Sequence, residues 1–139
     1  MSKLFVDDIV EKTSGHRVLI PGHVVQVIQS TYDTQETSTS STFANTSFVG
    51  TITPSSSTSK VLALCQVALM SYATSGQTNR GKGRLYRDAN NISGDIVVGG
   101  YYYGGNGVLI NHTAALNWLD SPATTSATTY TFQIAHING

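Results

Sequence analysis

The chain has little charge. Only 12% of its 139 residues are Asp, Glu, Lys or Arg, whereas soluble domains ordinarily carry about 25%. The eight basic and eight acidic side chains cancel, so the overall field gives no reason to expect binding to nucleic acid or to an anionic membrane. In place of charge the chain has 34 Ser and Thr residues, which favour a hydroxyl-rich β surface. This composition is typical of a subunit inside an assembly.

Cysteine and long apolar runs are also scarce. The single cysteine, Cys65, excludes an internal disulfide, and its apolar neighbours in Val61–Leu69 predict a buried thiol. The N-terminus has no basic segment followed by an apolar run, and no stretch reaches the length of a membrane span. We therefore expect synthesis in the cytoplasm without secretion and without membrane insertion.

Motifs for catalysis and metal binding are missing. The sequence has no Gly-x-Ser-x-Gly elbow, no phosphate loop, no His-Glu-x-x-His and no Cys-x-x-Cys. Its four scattered histidines indicate structural roles, so we expect neither a metal nor a cofactor. A hydrolase would need a carboxylate pair, for which Asp95 and Asp120 are only nominal candidates. The low acid content argues against an enzyme.

Short apolar segments separated by turn residues predict one all-β domain. Strands are expected at residues 17–20, 23–29, 47–53, 60–70, 83–87, 95–103, 108–111, 114–119 and 129–137, with a long polar loop at residues 33–42. So many short strands favour an antiparallel β-sandwich of jelly-roll type. Periodicity alone does not supply the strand order.

Three segments add detail to this prediction. Pro21-Gly22 interrupts the early strands and separates an N-terminal arm, residues 1–21, from a sandwich domain, residues 22–139. Lys60–Met70 is apolar on both parities, which predicts a strand covered on both faces, inside a sandwich or at a subunit contact. A buried helix is the alternative for this segment. Thr129–Ile137 alternates between aromatic or aliphatic and polar residues, as in a half-buried strand.

A row of basic residues is the first candidate binding surface. Arg80, Lys82 and Arg84 share one parity, so on a strand they lie about 6–7 Å apart and suit phosphate or carboxylate groups. The same row is typical of a solvated edge face that prevents unwanted strand pairing. We favour the edge interpretation on the sequence alone.

A tyrosine-rich segment is the second candidate. In Gly99-Gly-Tyr-Tyr-Tyr-Gly-Gly-Asn-Gly107 the glycines free the backbone, while Tyr101, Tyr102 and Tyr103 offer flat faces and hydroxyls. Such residues suit contact with a saccharide or a protein. They equally suit packing into the core or into a seam between subunits.

Five sequence blocks, in order along the chain, carry a resemblance to a known group of proteins. They are Lys3-Leu-Phe-Val-Asp-Asp-Ile-Val10, Pro21-Gly-His-Val-Val-Gln-Val27, Ile52-Thr-Pro-Ser-Ser-Ser-Thr-Ser-Lys-Val61, Arg84-Leu-Tyr-Arg-Asp88 and Leu119-Asp-Ser-Pro-Ala-Thr-Thr-Ser-Ala-Thr-Thr-Tyr130. Together they resemble small virion structural proteins of tailed bacteriophages, especially marine ones. The motifs are structural, and similar blocks occur in tail-fibre and other phage surface proteins.

The resemblance implies a homotrimer with a short attachment segment and a displayed β-rich domain. Residues 1–21 would attach to other proteins of the capsid or tail, with Leu4, Phe5, Val6 and Ile9 as the candidate contacts. Without heptads or repeats, the chain fits a short fibre, a knob or a decoration. The resemblance also implies a non-enzymatic virion protein that is made in the host cytoplasm. Its basic row and its tyrosines are candidates for contact with a host-surface glycan or protein. The alternative is a monomeric carbohydrate-binding module without a role in virion assembly.

Overall fold

The computed structural model describes residues 24–73, 79–101 and 108–138. Within these ranges the regular structure is entirely β. The strands are β1 (Ala44–Ile52), β2 (Val61–Ala73), β3 (Asn79–Arg87), β4 (Asn90–Asn91), β5 (Ile96–Tyr101), β6 (Val108–Asp120) and β7 (Thr128–Asn138). Every pairing among them is antiparallel. The predicted all-β, antiparallel class is confirmed.

The strands form two sheets. In the larger sheet β7 lies between β1 and β3, while β4 and β5 both pair along the other side of β3. In the described part of the chain the smaller sheet consists of β2 and β6. β2 contacts β3 and β5, and β6 contacts β5, so the smaller sheet packs over the larger one. This arrangement is consistent with a β-sandwich.

One uninterrupted ladder makes up the smaller sheet. It runs from Val61 opposite Asp120 to Ala73 opposite Val108 without a bulge. Both predicted segments, residues 108–111 and 114–119, are strand, but the break predicted between them is wrong, because residues 112 and 113 continue β6. The polar side chains in this stretch are exposed, so they stay hydrated while the backbone remains paired with β2.

Alternation along the strands places the core between the two sheets. Its buried side chains come from β2, β3, β6 and β7 and are Cys65, Leu85, Leu116, Tyr130 and Phe132. In β2 the odd-numbered residues from 61 to 71 face this core, whereas the even-numbered residues from 62 to 72 are exposed. The strand predicted at Lys60–Met70 is confirmed. Its second face has no cover from the described residues.

β7 is more buried than the predicted half-buried strand. Tyr130 and Phe132 face the core, as the alternation indicates. Gln133 and Ala135 point to the opposite face, yet they are only 6% and 4% exposed. The reason is topological, because β7 is flanked by β1 on one side and by β3 on the other, and side chains of both neighbours surround its outer face.

The chain leading into β1 is extended but unpaired. Residues 24–43 contain no strand, so the strand predicted at residues 23–29 is wrong for its described part. Val24 and Val27 are each 79% exposed, and no backbone hydrogen bond of residues 24–30 is present in the described structure. A side chain tethers this segment, since the Ser30 hydroxyl donates to the carbonyl of Val49.

Residues 33–42 form the polar loop that their composition predicts. The amide of His136 donates to the Ser40 carbonyl at 2.7 Å, and the amide of Ser47 donates to Glu36 Oε1 at 2.8 Å. The second bond is the main reason why the pKa of Glu36 lies below its ordinary value. The loop is thus docked against the larger sheet. The predicted arm, residues 1–21, lies outside the described residues.

Asp88 fixes the predicted turn after β3. It adopts a φ of 49°, in the left-handed region that Asp tolerates better than most residues. Its amide donates to the Thr129 carbonyl at 2.9 Å, and its Oδ1 accepts from the Thr129 amide at 2.9 Å. The side chain therefore replaces a backbone acceptor and extends the contact between β3 and β7.

Gly83 is required by the close approach of Phe132. A Cβ at Gly83 would overlap the ring, with Phe132 Cε1 at 3.1 Å, and a ring that is 2% exposed has little room to move. We expect Gly83→Ala to lower the free energy of unfolding by about 1–3 kcal/mol, measured by urea denaturation. Gly50→Ala is the matched control, because its Cβ would meet only Ser30 Cβ at 3.8 Å. Equal stability of the two variants would contradict the overlap.

Candidate interaction surfaces

β3 carries the row of cations on the outer face of the larger sheet. Arg80, Lys82 and Arg84 alternate with Gly83 and Leu85, which are buried. The three cations therefore share a face, as the sequence indicates. β3 is nevertheless an interior strand, paired with β7 on one side and with β4 and β5 on the other. The edge-strand interpretation of the row is wrong.

Aromatic rings lie against two of these cations. The centroid of the Phe43 ring is 3.9 Å from Arg84 Cζ and 4.8 Å from Lys82 Nζ. Tyr86, the next outward residue of β3, has its ring centroid 5.3 Å from the same Arg84 carbon. Each such contact contributes about 0.5–1 kcal/mol at an exposed site. Two rings thus restrict the position of one guanidinium.

A buried amide holds the same guanidinium from one side. Arg84 Nε donates to Gln133 Oε1 at 2.7 Å, and Gln133 Nε2 donates to Asn45 Oδ1 at 2.6 Å. Because a guanidinium only donates, the first bond determines which end of the Gln133 amide is oxygen. These three residues are register partners across β1, β7 and β3. Within the described residues, the Nη atoms of Arg84 have no hydrogen-bond partner.

The sequence predicted the cations but missed the residues around them. Tyr86 was detectable, because it shares the parity of Arg84 in the same strand. Gln133 was also detectable, because it lies on the polar face of the strand that the sequence predicts at residues 129–137. Phe43 and Asn45 carried no comparable signal, since their positions depend on the pairing of β1 with β7.

A salt bridge at one end of the molecule joins the two sheets. Arg87 Nη1 donates to both carboxylate oxygens of Asp120, at 2.8 and 2.7 Å. The Tyr130 hydroxyl donates to Asp120 Oδ2 at 2.7 Å. Asp120 ends β6, whereas its two partners lie on β3 and β7. Asp120 therefore has a structural role here, and Asp95, the other nominal carboxylate, is exposed.

The outer face of the smaller sheet is exposed and uncharged. Leu64 is 71% exposed, and the paired residues Leu62 and Leu119 are 60% and 58% exposed. We call this surface the uncharged face; its residues are Leu62, Leu64, Gln66, Ala68, Met70 and Tyr72 of β2 and Leu109, Asn111, Thr113, Ala115, Asn117 and Leu119 of β6. None of them is ionisable except through the tyrosine hydroxyl. Exposing the apolar residues of this face to water brings a monomer no gain in free energy, so the face is a candidate contact surface.

An open groove of about 700 Å³ lies beside the uncharged face. Residues 24–28, β1 and the first half of β2 line it, and it reaches the core at Cys65, Leu85 and Phe132. Burial raises the pKa of Cys65 to about 11, so the thiol stays protonated at neutral pH. The predicted buried, free cysteine is confirmed.

The remaining candidates lie mostly beyond the described structure. Tyr101 ends β5 opposite Asn79, but the position of its side chain is outside the described part, as are Tyr102 and Tyr103. The proposed attachment residues also lie outside the described ranges; they are Leu4, Phe5, Val6 and Ile9. Their roles stay predictions.

Comparisons with protein-family models, curated proteins and solved structures gave no match. Across residues 24–73, 79–101 and 108–138, no three His, Cys, Asp or Glu side chains are grouped so that they could hold a metal ion. The same residues contain no helix of the length and hydropathy that crossing a membrane requires. The function must therefore be argued from the surfaces of this chain.

The hydroxyl of Tyr130 links burial to pH dependence. Burial raises its pKa well above the ordinary value, and the hydrogen bond to Asp120 and the charge of Asp120 raise it further, against the opposing effect of Arg87. In the unfolded chain the same phenol ionises at about pH 10. The stability linked to this shift is complete below that pH and is lost as the pH rises toward the folded-state pKa.

We therefore expect Tyr130→Phe to flatten the alkaline loss of stability. Above about pH 10 the free energy of unfolding should fall more steeply in the wild-type protein than in the variant. Near pH 7 the variant should be less stable by about 2 kcal/mol, because it lacks a hydrogen bond to a charged group. Urea denaturation between pH 7 and 11 measures both effects. Parallel curves at alkaline pH would refute the assignment.

Proposed function

We propose that this chain is a non-enzymatic structural subunit of a tailed-phage particle that associates with copies of itself. The observation that carries this proposal is the uncharged face, a largely apolar, exposed surface in a folded domain. The subunit is a homotrimer of jelly-roll-type sandwiches and forms a short fibre, a knob or a decoration of the capsid or tail. In that assembly the uncharged faces of neighbouring copies cover one another.

The size of the uncharged face supports an interface. Two strands of 13 residues each, rising about 3.4 Å per residue and spaced about 4.8 Å apart, give a flat footprint of about 400 Å². Projecting side chains increase the accessible area beyond that value. The largest exposed apolar patch of a protein, of about 300–600 Å², is often a functional contact surface.

The composition of β2 supports the same conclusion. From Val61 to Met70 the strand contains no charged residue and no proline, which are the usual protections of an exposed strand edge. Within the described structure, the backbone edge of these residues away from β6 has no strand partner. An unprotected edge of this kind persists in a soluble protein when another subunit covers it.

The five sequence blocks that resemble phage virion proteins support the placement in a particle. In this proposal residues 1–21 attach the subunit to its neighbours in the virion, through Leu4, Phe5, Val6 and Ile9, and the sandwich is displayed. The protein is made in the host cytoplasm and resides in the virion. Its outer cationic face and Tyr101–Tyr103 are the surfaces assigned to the host.

A free carbohydrate-binding module is the second candidate function. The guanidinium of Arg84 favours this second function. Gln133 and the Phe43 ring restrain it, and its Nη atoms remain available to hydrogen-bond a ligand. The two functions differ in oligomeric state. A module of this kind is a stable monomer that binds glycan, whereas the virion subunit is a trimer.

A charge placed in the uncharged face should abolish association. We expect the full-length wild-type chain to have three times the chain mass in light scattering and Leu64→Asp to have the mass of one chain. The physical reason is that a contact would bury the new carboxylate in an apolar environment without a partner, at a cost of several kcal/mol.

Val97→Asp is the matched control for this experiment. Val97 is also an exposed apolar strand residue, but it lies on β5 opposite Lys82, in the other sheet. The control should keep the wild-type mass. A monomeric wild-type protein would transfer support to the carbohydrate-binding module. A trimer that tolerates Leu64→Asp would show that copies meet elsewhere.

A further inference from the structure

We propose that the outer face of the larger sheet binds a carboxylate-bearing saccharide, with the Arg84 guanidinium binding the carboxylate. Lys82 is the second cation of the site, and Gln133 with Asn45 positions Arg84. This inference rests on the proposed contact with the host surface, for which it names the ligand class. The geometry that supports it belongs to a single chain and requires no assembly.

The guanidinium of Arg84 is already ordered before any ligand arrives. Phe43 lies 3.9 Å from its carbon, Tyr86 lies 5.3 Å away, and Gln133 accepts its Nε hydrogen at 2.7 Å. Ordering a free arginine side chain costs conformational entropy, because the chain has several freely rotating bonds. Here most of that entropy is lost on folding, so ligand binding does not have to supply it.

The open edge of the guanidinium matches a carboxylate. Its Nε hydrogen is used by Gln133, and the Nη hydrogens remain as a planar pair of donors. Two parallel hydrogen bonds from such a pair to a carboxylate are stronger and more directional than the single contact of a lysine. The Lys82 ammonium lies against the same Phe43 ring, 4.8 Å from its centroid, and adds a second positive charge nearby.

The cations of this face form no salt bridge within the described ranges. Arg80, Lys82 and Arg84 are three of the eight basic residues of the chain, and the ion pair present in the described ranges joins Arg87 to Asp120 instead. A protein with no net charge therefore concentrates positive potential along one row. An anionic group would neutralise it.

The surroundings of the cations favour a saccharide over a nucleic acid. Gln133 of β7 lies opposite Arg84 and pairs with Asn45 of β1, and Thr131 lies opposite Tyr86. Farther along the same face are Thr51 and Thr129, whose Oγ1 atoms lie 2.9 Å apart. Such groups exchange hydrogen bonds with sugar hydroxyls. Nucleic-acid binding depends on many phosphate contacts and a basic domain, whereas this chain has a net charge of zero.

Calorimetry of the full chain tests the site with a matched pair of sugars. The probe is a β-1,4-linked hexamer of glucuronic acid, and the neutral comparison is the β-1,4-linked hexamer of glucose. We expect the uronate to bind, more weakly as salt is added, and the glucose hexamer not to bind. Arg84→Gln should weaken uronate binding by at least about tenfold, the loss expected for a charged hydrogen bond.

Arg80→Gln is the matched control for charge. It removes the same charge from the same row, but Arg80 has no ring contact and no side-chain hydrogen bond in the described structure, so we expect a loss of only about twofold from screened electrostatics. Equal losses at Arg80 and Arg84 would overturn the proposal. So would equal binding of the two hexamers, no binding of the uronate, or tighter binding of a thymidine hexanucleotide.

A double-mutant cycle tests the positioning role of Gln133. Gln133→Leu should weaken uronate binding in the wild-type background and have no further effect in Arg84→Gln, because both changes act through one guanidinium. If Gln133→Leu only destabilises the protein, it should reduce uronate affinity equally in both backgrounds, and that result would overturn the positioning role. If Arg84→Gln fails to fold, Lys82→Gln tests the site instead, because Lys82 makes no hydrogen bond within the described residues and its removal should weaken uronate binding.

Light scattering separates this inference from the proposed function. Monomers that bind uronate through Arg84 would reject the trimer and leave the site in place. Trimers that do not bind uronate would reject the site and leave the assembly in place.

Discussion

The carboxylate of Asp120 links the two sheets, and the positions of all the surfaces described above depend on that junction. A sheet of two strands is marginal by itself and needs another layer to pack against. The apolar core supplies that packing, but apolar contacts have little direction. The bonds from Arg87 and Tyr130 to Asp120 are directional, and they fix the end of β6 over β3 and β7. Tyr130 contributes twice, since its ring lies in the core and its hydroxyl reaches the carboxylate.

With the sheets fixed in this way, the domain has two outer faces of opposite character. The smaller sheet presents a largely apolar surface without charge, whereas the larger sheet presents mainly hydroxyls, amides and a row of cations. An apolar surface gains free energy when another protein surface covers it. A polar surface with a row of cations is better suited to a hydrated, reversible ligand. The division fits a subunit that has neighbours on one side and solvent on the other.

Sequence patterns predicted the features that depend on near neighbours in the chain, but not those that depend on which strands pair. The apolar run of β2 depends on near neighbours in the sequence, and that strand was predicted. Of β3 only residues 83–87 were predicted as strand, although the shared parity of Arg80, Lys82 and Arg84 was recognised. The continuity of β6 depends on the length of β2 opposite it. The stacking of Phe43 on Arg84 depends on β1 lying beside β7. Residues 24–29 alternate as a strand does but form none, because no segment in the described part of the chain pairs with their backbone.

Both sheets join segments that are far apart in the sequence. Ala44 in β1 pairs with Ile134 in β7, and Val61 in β2 pairs with Asp120 in β6. Topologies of this kind fold slowly, because a long loop must close before the contacts form. During synthesis β2 leaves the ribosome well before β6 exists to pair with it. Nascent chains therefore expose their most apolar strand for an extended interval, in which aggregation competes with folding.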